Sequence, residues 1–126
     1  MSEHRQNETI YPFATIGSRT KRGGRVTRVT TQAEYKGMAL ARVGDPVTYD
    51  DGSEATIIDG AGFAAVWGDK PLALVGSRLS NGDRIVESLQ DSWGITVRAD
   101  KPIPGLFDPT YTPRTVDDAS AGGAHA

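Results

Sequence analysis

No cysteine occurs in this 126-residue chain, so neither a disulfide nor a thiolate-held metal can form within it. Histidine is almost as scarce, and the two present, His4 and His125, lie near the ends. A histidine-dependent triad and a histidine metal site are therefore not expected. Hydrophobic residues make up only 37% of the chain, too few for a thick core, so a thin β fold suits the sequence better than a helical bundle. No apolar run approaches the ~20 residues of a membrane span, and none near Met1 resembles a signal peptide. The expectation is a protein made in the cytoplasm, whose export uses a route that reads no such signal. A formal net charge of −2 gives no electrostatic case for nucleic acid, whose binding rests on neutralising phosphates with Lys and Arg. Carboxylates are present, but the close pairs are sequence neighbours such as Asp50 and Asp51, which point in different directions from an extended backbone. That is poor geometry for shared acid–base work, and no enzyme is expected.

What the chain does have is glycine at repeated places. The central stretch is Ala39-Leu-Ala-Arg-Val-Gly-Asp-Pro-Val47, echoed upstream by Phe13-Ala-Thr-Ile-Gly-Ser-Arg19 and downstream by Leu72-Ala-Leu-Val-Gly-Ser-Arg78. Each is a short apolar run ending in Gly followed by Ser or Asp. A second Gly turn follows each, at Gly23-Gly24, Asp51-Gly52 and Asn81-Gly82. The period of about 30 residues is that of a repeat architecture. Asp-Gly and Asn-Gly are strong hairpin signals because both turn residues must accept positive φ. Each unit thus reads strand, tight turn, strand. Long strands are expected from Gly24 to about Tyr35 and from Glu54 to about Trp67. Their far ends carry Tyr35-Lys-Gly37, Trp67-Gly-Asp69 and Trp93-Gly94 as a second set of turns. One pole then holds three Gly turns and the other three aromatic-flanked turns. Ile95 to Val97 adds a final strand.

The remaining motifs have plain readings. Arg19, Lys21, Arg22, Arg25 and Arg28 form a local basic stretch, read as a solvated hairpin face in preference to an anion site. Asp50 to Glu54 is acidic but lacks the spaced ligand series of a calcium loop. Asp59-Gly-Ala-Gly62 is followed by no Gly-Lys-Ser/Thr and no helix pattern, so it is a bulge or bend and not a phosphate loop. Residues 1–10 read as a flexible arm, 11–100 as one β domain, and 101–126 as a Pro-rich, mostly disordered tail. In the tail Leu106, Phe107 and Tyr111 are apolar enough to dock, on the domain in preference to a partner.

The pattern resembles the PAAR-domain family. Members share a Gly-Asp-x-x-x-x-Gly-Gly opening, a Leu/Val-Ala-Arg-Val-Gly-Asp centre and a Ser-x-Gly close. These correspond here to Gly17 through Gly24, Leu40-Ala-Arg-Val-Gly-Asp45 and Ser80-Asn-Gly82, within a match spanning residues 12 to 90. The resemblance implies an all-β fold, a small cone of short antiparallel strands with three-fold pseudo-symmetry. It implies a tip protein that caps and sharpens the trimeric VgrG-type spike of a type VI secretion system, one copy per trimer. The target membrane is then contacted only mechanically, and an effector or adaptor is a further partner. Typical members hold a zinc ion near the tip through His and Cys. The matching slots here are Arg22, one of Tyr49 to Asp51, and Asn81. A guanidinium stays protonated and cannot be a ligand, so no zinc and no other cofactor is expected. A small fold usually needs some staple. The expected one is a polar tip network of Arg22 with Asp50 or Asp51, and Asn81 alongside; three ordinary exposed turns are the alternative. At the opposite pole Tyr35, Met38, Phe63, Trp67 and Trp93 are the candidate partner-binding residues, since aromatics and Met dominate interface cores; the alternative is that they are core. The rival to the spike-tip reading is a stand-alone β-repeat module that binds protein or glycan.

Overall fold

The computed structural model describes residues 8–112. The remainder of the expected arm (1–7) and of the expected tail (113–126), with His4 and His125, lies outside the described residues. Among the described residues all the regular structure is short β-strand, apart from one 3-10 turn at Gly62–Ala64.

The three glycine motifs fold alike. Gly17, Gly44 and Gly76 have φ of +88°, +99° and +107°, a region that side chains other than hydrogen disfavour. Their N–H groups donate to the carbonyls of Val26, Ile57 and Ile85, each at 2.8 Å. The next residue, Ser18, Asp45 or Ser77, is fully buried. Its side-chain oxygen accepts the backbone N–H of Thr15, Arg42 or Leu74, each at 2.9 Å. A short side chain with an acceptor is what this turn needs, which accounts for the Ser/Ser/Asp choice.

Between these turns and the second set of glycines lie β2 (Arg19–Thr20), β3 (Arg25–Val26), β6 (Pro46–Thr48), β7 (Glu54–Thr56) and β10 (Ile85–Glu87). They pair antiparallel in the order β10-β2-β3-β6-β7. Two bridges, Ile57 with Leu79 and Arg78 with Arg84, join the last strand back to the first. The three hairpins therefore close on themselves, and closure leaves no strand edge along this wall. Inside it sit Val26, Val47, Ile57, Leu79 and Ile85, all buried; each such side chain contributes about 1.5–3 kcal/mol by leaving water.

Below the wall the three units meet at Ala14, Ala41 and Ala73. The N–H of Ala14 donates to the Ala73 carbonyl at 2.9 Å, that of Ala41 to Ala14 at 3.0 Å, and that of Ala73 to Ala41 at 2.9 Å. All three alanines are fully buried. The ring is cyclic within one chain, so the pseudo-symmetry is three-fold, and the three methyl groups are enclosed where the units meet. A second apolar layer, Phe13, Leu40, Ala61, Leu72, Leu74 and Ile95, lies on the far side of it.

The base carries three two-stranded ribbons. β4 (Glu34–Tyr35) and β5 (Met38–Ala39) form one, and β8 (Val66–Trp67) and β9 (Lys70–Pro71) another. Lys36 and Gly37 are both at positive φ, as a two-residue hairpin turn requires. The third ribbon corrects an expectation. Trp93-Gly94 is not a turn; it opens β11 (Gly94–Arg98), which pairs with β1 (Glu8–Pro12) in register Pro12 to Gly94 through Glu8 to Arg98. The third unit is thus assembled from the two ends of the described chain. Residues 8–10, expected in the arm, are therefore part of the cone.

Two further expectations change. The long strands from Gly24 and Glu54 are broken: β3 ends at Val26 and β4 starts only at Glu34, while β7 ends at Thr56 and β8 starts at Val66. The chain has to leave the closed wall and turn into a base ribbon, and a continuous strand cannot do both. Phe63 accordingly lies on the 3-10 turn and not on a strand. At Gly60 a Cβ would run into the Leu72 carbonyl oxygen, so the Gly-rich bend is a packing requirement. The segment after residue 100 is also packed as far as it is described. Ile103, Leu106 and Phe107 pack on the base layer. The Phe107 N–H donates to the Gly60 carbonyl at 2.8 Å, and Phe63 N–H to that of Pro104 at 2.8 Å. The Phe107 ring meets Tyr11 edge-on, centroids 4.9 Å apart. Buried Asp59 holds Arg78 Nε at 2.7 Å, and Arg78 Nη2 donates to the Phe107 carbonyl at 2.8 Å. Three apolar anchors outweigh the Pro-rich composition that reads as tail.

Candidate functional site

The tip is built by three turns of one design. In Thr20-Lys-Arg-Gly23, Tyr49-Asp-Asp-Gly52 and Leu79-Ser-Asn-Gly82 the Gly N–H returns to the first carbonyl at 3.1, 2.9 and 3.0 Å. Arg22, Asp50, Asp51 and Asn81 all line one concavity, together with Gly23, Tyr49 and Ser53. The four tip residues read from the sequence are therefore neighbours, but the hydrogen bonds run elsewhere. Asp51 Oδ1 accepts the Ser53 N–H at 2.9 Å and hydroxyl at 2.6 Å, which hold its carboxyl below the ordinary range. It caps its own turn. Asp50 is exposed. The Arg22 guanidinium donates to the Asn81 carbonyl at 3.1 Å, not to a carboxylate.

The acid that joins the turns is Asp83, only 2% exposed. Its Oδ1 accepts the N–H of Arg22 at 3.1 Å and of Arg84 at 2.8 Å, and its Oδ2 accepts the Tyr49 hydroxyl at 2.6 Å. Asn81 completes the circuit. Its Nδ2 donates to the Tyr49 oxygen at 3.1 Å, and its Oδ1 accepts the Asp83 N–H at 3.0 Å. One carboxylate thereby ties all three hairpins. Burial by itself pushes the Asp83 carboxyl up; hydrogen bonds from Thr20, Tyr49 and the Arg84 and Arg22 amides together outweigh it and hold the pKa below the ordinary value. Tyr49 is pushed up, first by burial and then by its bond to that anion. Asp83 is missing from the set read in the sequence. Its one signal is position: it is the first residue after Asn81-Gly82, where the returning strand turns a side chain inward.

The tip residues do not fit a zinc ion. Among the described residues no three His, Cys, Asp or Glu side chains converge as a metal site. The first slot presents a guanidinium and the third an amide committed to Tyr49 and Asp83; in the second, Tyr49 is bonded to Asp83, Asp51 is committed to its own turn and Asp50 stands exposed.

At the base, the structure gathers part of the aromatic set. Tyr35 and Met38 face each other across the β4–β5 ribbon and are half-buried. The Tyr35 ring lies 5.2 Å from Trp93, and its hydroxyl shares a 2.8 Å hydrogen bond with Ser92. Trp93 meets buried Phe13 edge-on at 4.9 Å and stays 42% exposed. Trp67, 40% exposed, stands on the β8–β9 ribbon, where its carbonyl takes the Arg42 guanidinium at 2.6 Å. Phe63 is 70% exposed on the 3-10 turn before that ribbon. Neither Trp67 nor Phe63 stacks on the Tyr35–Trp93 pair. A residue that sequence reading did not single out fixes Trp93. Buried Gln90 donates through Nε2 to the Phe13 and Trp93 carbonyls at 2.9 and 2.8 Å, and accepts the Ser92 and Trp93 N–H groups on Oε1 at 3.0 and 2.8 Å. Three of these bonds are local, within three residues, and shape the bend before Gly94; the fourth, to Phe13, is the long-range tie that no local motif announces.

The geometry is that of a closed three-fold β cone, with a hydrogen-bonded point and a broad base that leaves two tryptophans and a phenylalanine in water. No curated protein and no solved structure matches this chain. A family model does: the one described as PAAR motif matches residues 16–87, the stretch that holds Gly17, Gly44 and Gly76, two of the three ring alanines (Ala41 and Ala73) and every tip residue from Arg22 to Asp83. With more than half its length matched, the chain belongs to the PAAR-motif family.

Proposed function

We propose that this protein is the pointed cap of a trimeric type VI secretion spike, one copy per trimer, and that it carries effector cargo on its sides. The observation that carries the reading is the cyclic bonding of Ala14, Ala41 and Ala73 within one chain. A three-fold monomer presents three similar base ribbons, so a single copy can cover the blunt end of a trimer and leave no third of it bare. Family membership supports the same reading. The role is mechanical: a closed wall and a cross-braced tip resist deformation when the spike is driven into a membrane. No catalytic step and no bound metal are assigned to it.

In this reading the docking face is the base, with Trp67, Trp93, Phe63, Tyr35 and Met38 as contacts. Large aromatics exposed in the free chain are the residue types that dominate interface energies, and truncating one at the centre of an interface costs about 2 kcal/mol or more. The test is capture of the C-terminal β-helical part of a trimeric spike from the same source by the full chain. Trp67→Ala is expected to weaken capture at least about tenfold, because its exposed ring does little for the fold. Equal capture by Trp67→Ala and the parent would remove the base from the docking face.

A further inference from the structure

One side of the cone carries a feature that spike docking does not use. Between β1 and the barrel wall runs a groove whose apolar surface includes Ile10, Val75 and Val86 and whose charged residues are Lys21 and Arg84. Ile10 is 65% exposed and Val86 47%. Among the described residues no carboxylate lines it, in a chain with 16 Asp and Glu and a net charge of −2. The two cations are neighbours, since Lys21 N–H donates to the Arg84 carbonyl at 2.9 Å. Neither is in an ion pair among the described residues. Glu87, farther along β10, is in register with Arg19.

The groove also has an open backbone edge. Phe13 N–H bonds to Trp93 on the β11 side, while the Pro12 carbonyl accepts Val75 N–H at 2.9 Å on the opposite side. Antiparallel strands alternate the direction of their backbone groups, so Ile10, two residues before Pro12, turns its N–H and C=O to the groove. Among the described residues they have no backbone partner there. This is the one long ribbon of the described chain, five residue pairs against two in each of the other base ribbons. The excess pairs lie beyond the point where those ribbons turn.

We propose that this groove binds an extended peptide segment of an exported cargo protein, with acidic residues alternating with apolar ones, as a strand added to the free edge of β1. Main-chain bonds to Ile10 supply affinity, and alternate side chains supply selectivity. Apolar side chains of the guest cover Ile10, Val75 and Val86. Carboxylates on the guest meet Lys21 and Arg84, and the missing acidic lining removes what would repel them. The word cargo rests on the spike-tip reading; the groove and its preference do not.

The test uses the full chain, labelled with 15N, and two synthetic five-residue peptides, one alternating valine with glutamate and one alternating valine with lysine. The valine–glutamate peptide is expected to shift the amide signals of Ile10, Val75 and Val86 in a saturable way, and the lysine peptide to bind about tenfold more weakly. The double variant Lys21→Glu/Arg84→Glu, both positions exposed, is expected to reverse that order. Val86→Asn checks the apolar surface without changing charge and is expected to weaken binding of the glutamate peptide about tenfold with the spectrum otherwise intact. Equal binding of the two peptides, no shift at these amides up to millimolar peptide, or shifts centred on Trp67 and Trp93 would overturn the proposal. So would a groove filled by this chain's own residues 113–126, which include Asp117 and Asp118; that outcome shows as the same amides moving when the segment is deleted, with the glutamate peptide binding only afterwards. A groove filled by a second copy would show as concentration-dependent shifts and would likewise overturn it. Spike capture by the same variants reads the base independently, so loss of one result does not entail loss of the other.

Discussion

Replacing Asp83 by Asn leaves the shape of the tip and removes the charge at its centre. The carboxylate accepts two backbone N–H groups and the Tyr49 hydroxyl, from all three hairpins, and is almost fully buried. A hydrogen bond to a charged group contributes about 1.5–3 kcal/mol, and bonds that share one acceptor are not additive. An amide can keep one oxygen facing two donors but must turn its NH2 toward the third. A net loss of about 2–3 kcal/mol is therefore expected. In a domain of this size each kcal/mol moves Tm by about 4–5 °C, so Asp83→Asn is expected to melt about 10 °C lower by circular dichroism. The sign of the pH dependence follows from the same bonds. The folded pKa of Asp83 is below its unfolded value, so its contribution is fully present above the unfolded pKa of about 3.9 and is lost as pH falls through the folded value. The gap in Tm between parent and Asp83→Asn should thus be full at neutral pH and close in the acid range. Asp51→Asn is the control. Its carboxylate only caps its own turn, and it is expected to move Tm by no more than about 2 °C. Equal Tm values for Asp83→Asn and the parent at pH 7, or a gap that widens toward low pH, would refute the claim that this carboxylate braces the tip.

Other consequences are as direct. Ala73→Val puts two methyl groups into the alanine ring, where the three backbones meet, and is expected to cost about 1–3 kcal/mol by denaturant unfolding; a neutral result would mean the ring is looser than its bonds indicate. Because the tip slots hold Arg22, one of Tyr49 to Asp51, and Asn81, a strong chelator is expected to leave Tm unchanged within about 2 °C, and a larger fall would point to a bound metal. Phe107→Ala removes a half-buried ring that packs on Tyr11 and Gly76, with an expected loss of about 1.5–3 kcal/mol; full stability in that variant would return the segment after residue 100 to the status of a tail.

Much of this architecture is written locally. Gly17, Gly44 and Gly76 with their Ser or Asp followers, and the second set of glycines, set the number of units, the turn positions and the tip. Those features depend on φ and on hydrogen bonds spanning three or four residues, which a sequence displays. What was not legible depends on groups far apart in the chain. The third base ribbon joins Glu8–Pro12 to Gly94–Arg98, and nothing within either segment names the other. Asp83 escapes a local reading because Asp50 and Asp51 stand inside a turn and look like the nearer partners. Inward direction decides instead: Asp51 spends its carboxylate on Ser53, while Asp83 starts a returning strand and points at Tyr49. The stretch after Pro102 was legible in part. Its prolines read as disorder, but Leu106 and Phe107, expected to dock on the domain, do so together with Ile103 and hold the segment against the base.

The central claim is that one three-fold monomer caps one trimer. Native mass spectrometry of the full chain mixed in excess with the C-terminal β-helical part of a trimeric spike from the same source tests it most directly. The account predicts a complex of three spike chains and one copy of this protein, with no species carrying two or three copies. A complex of three copies per trimer, or free trimer and free monomer at every ratio, would contradict it.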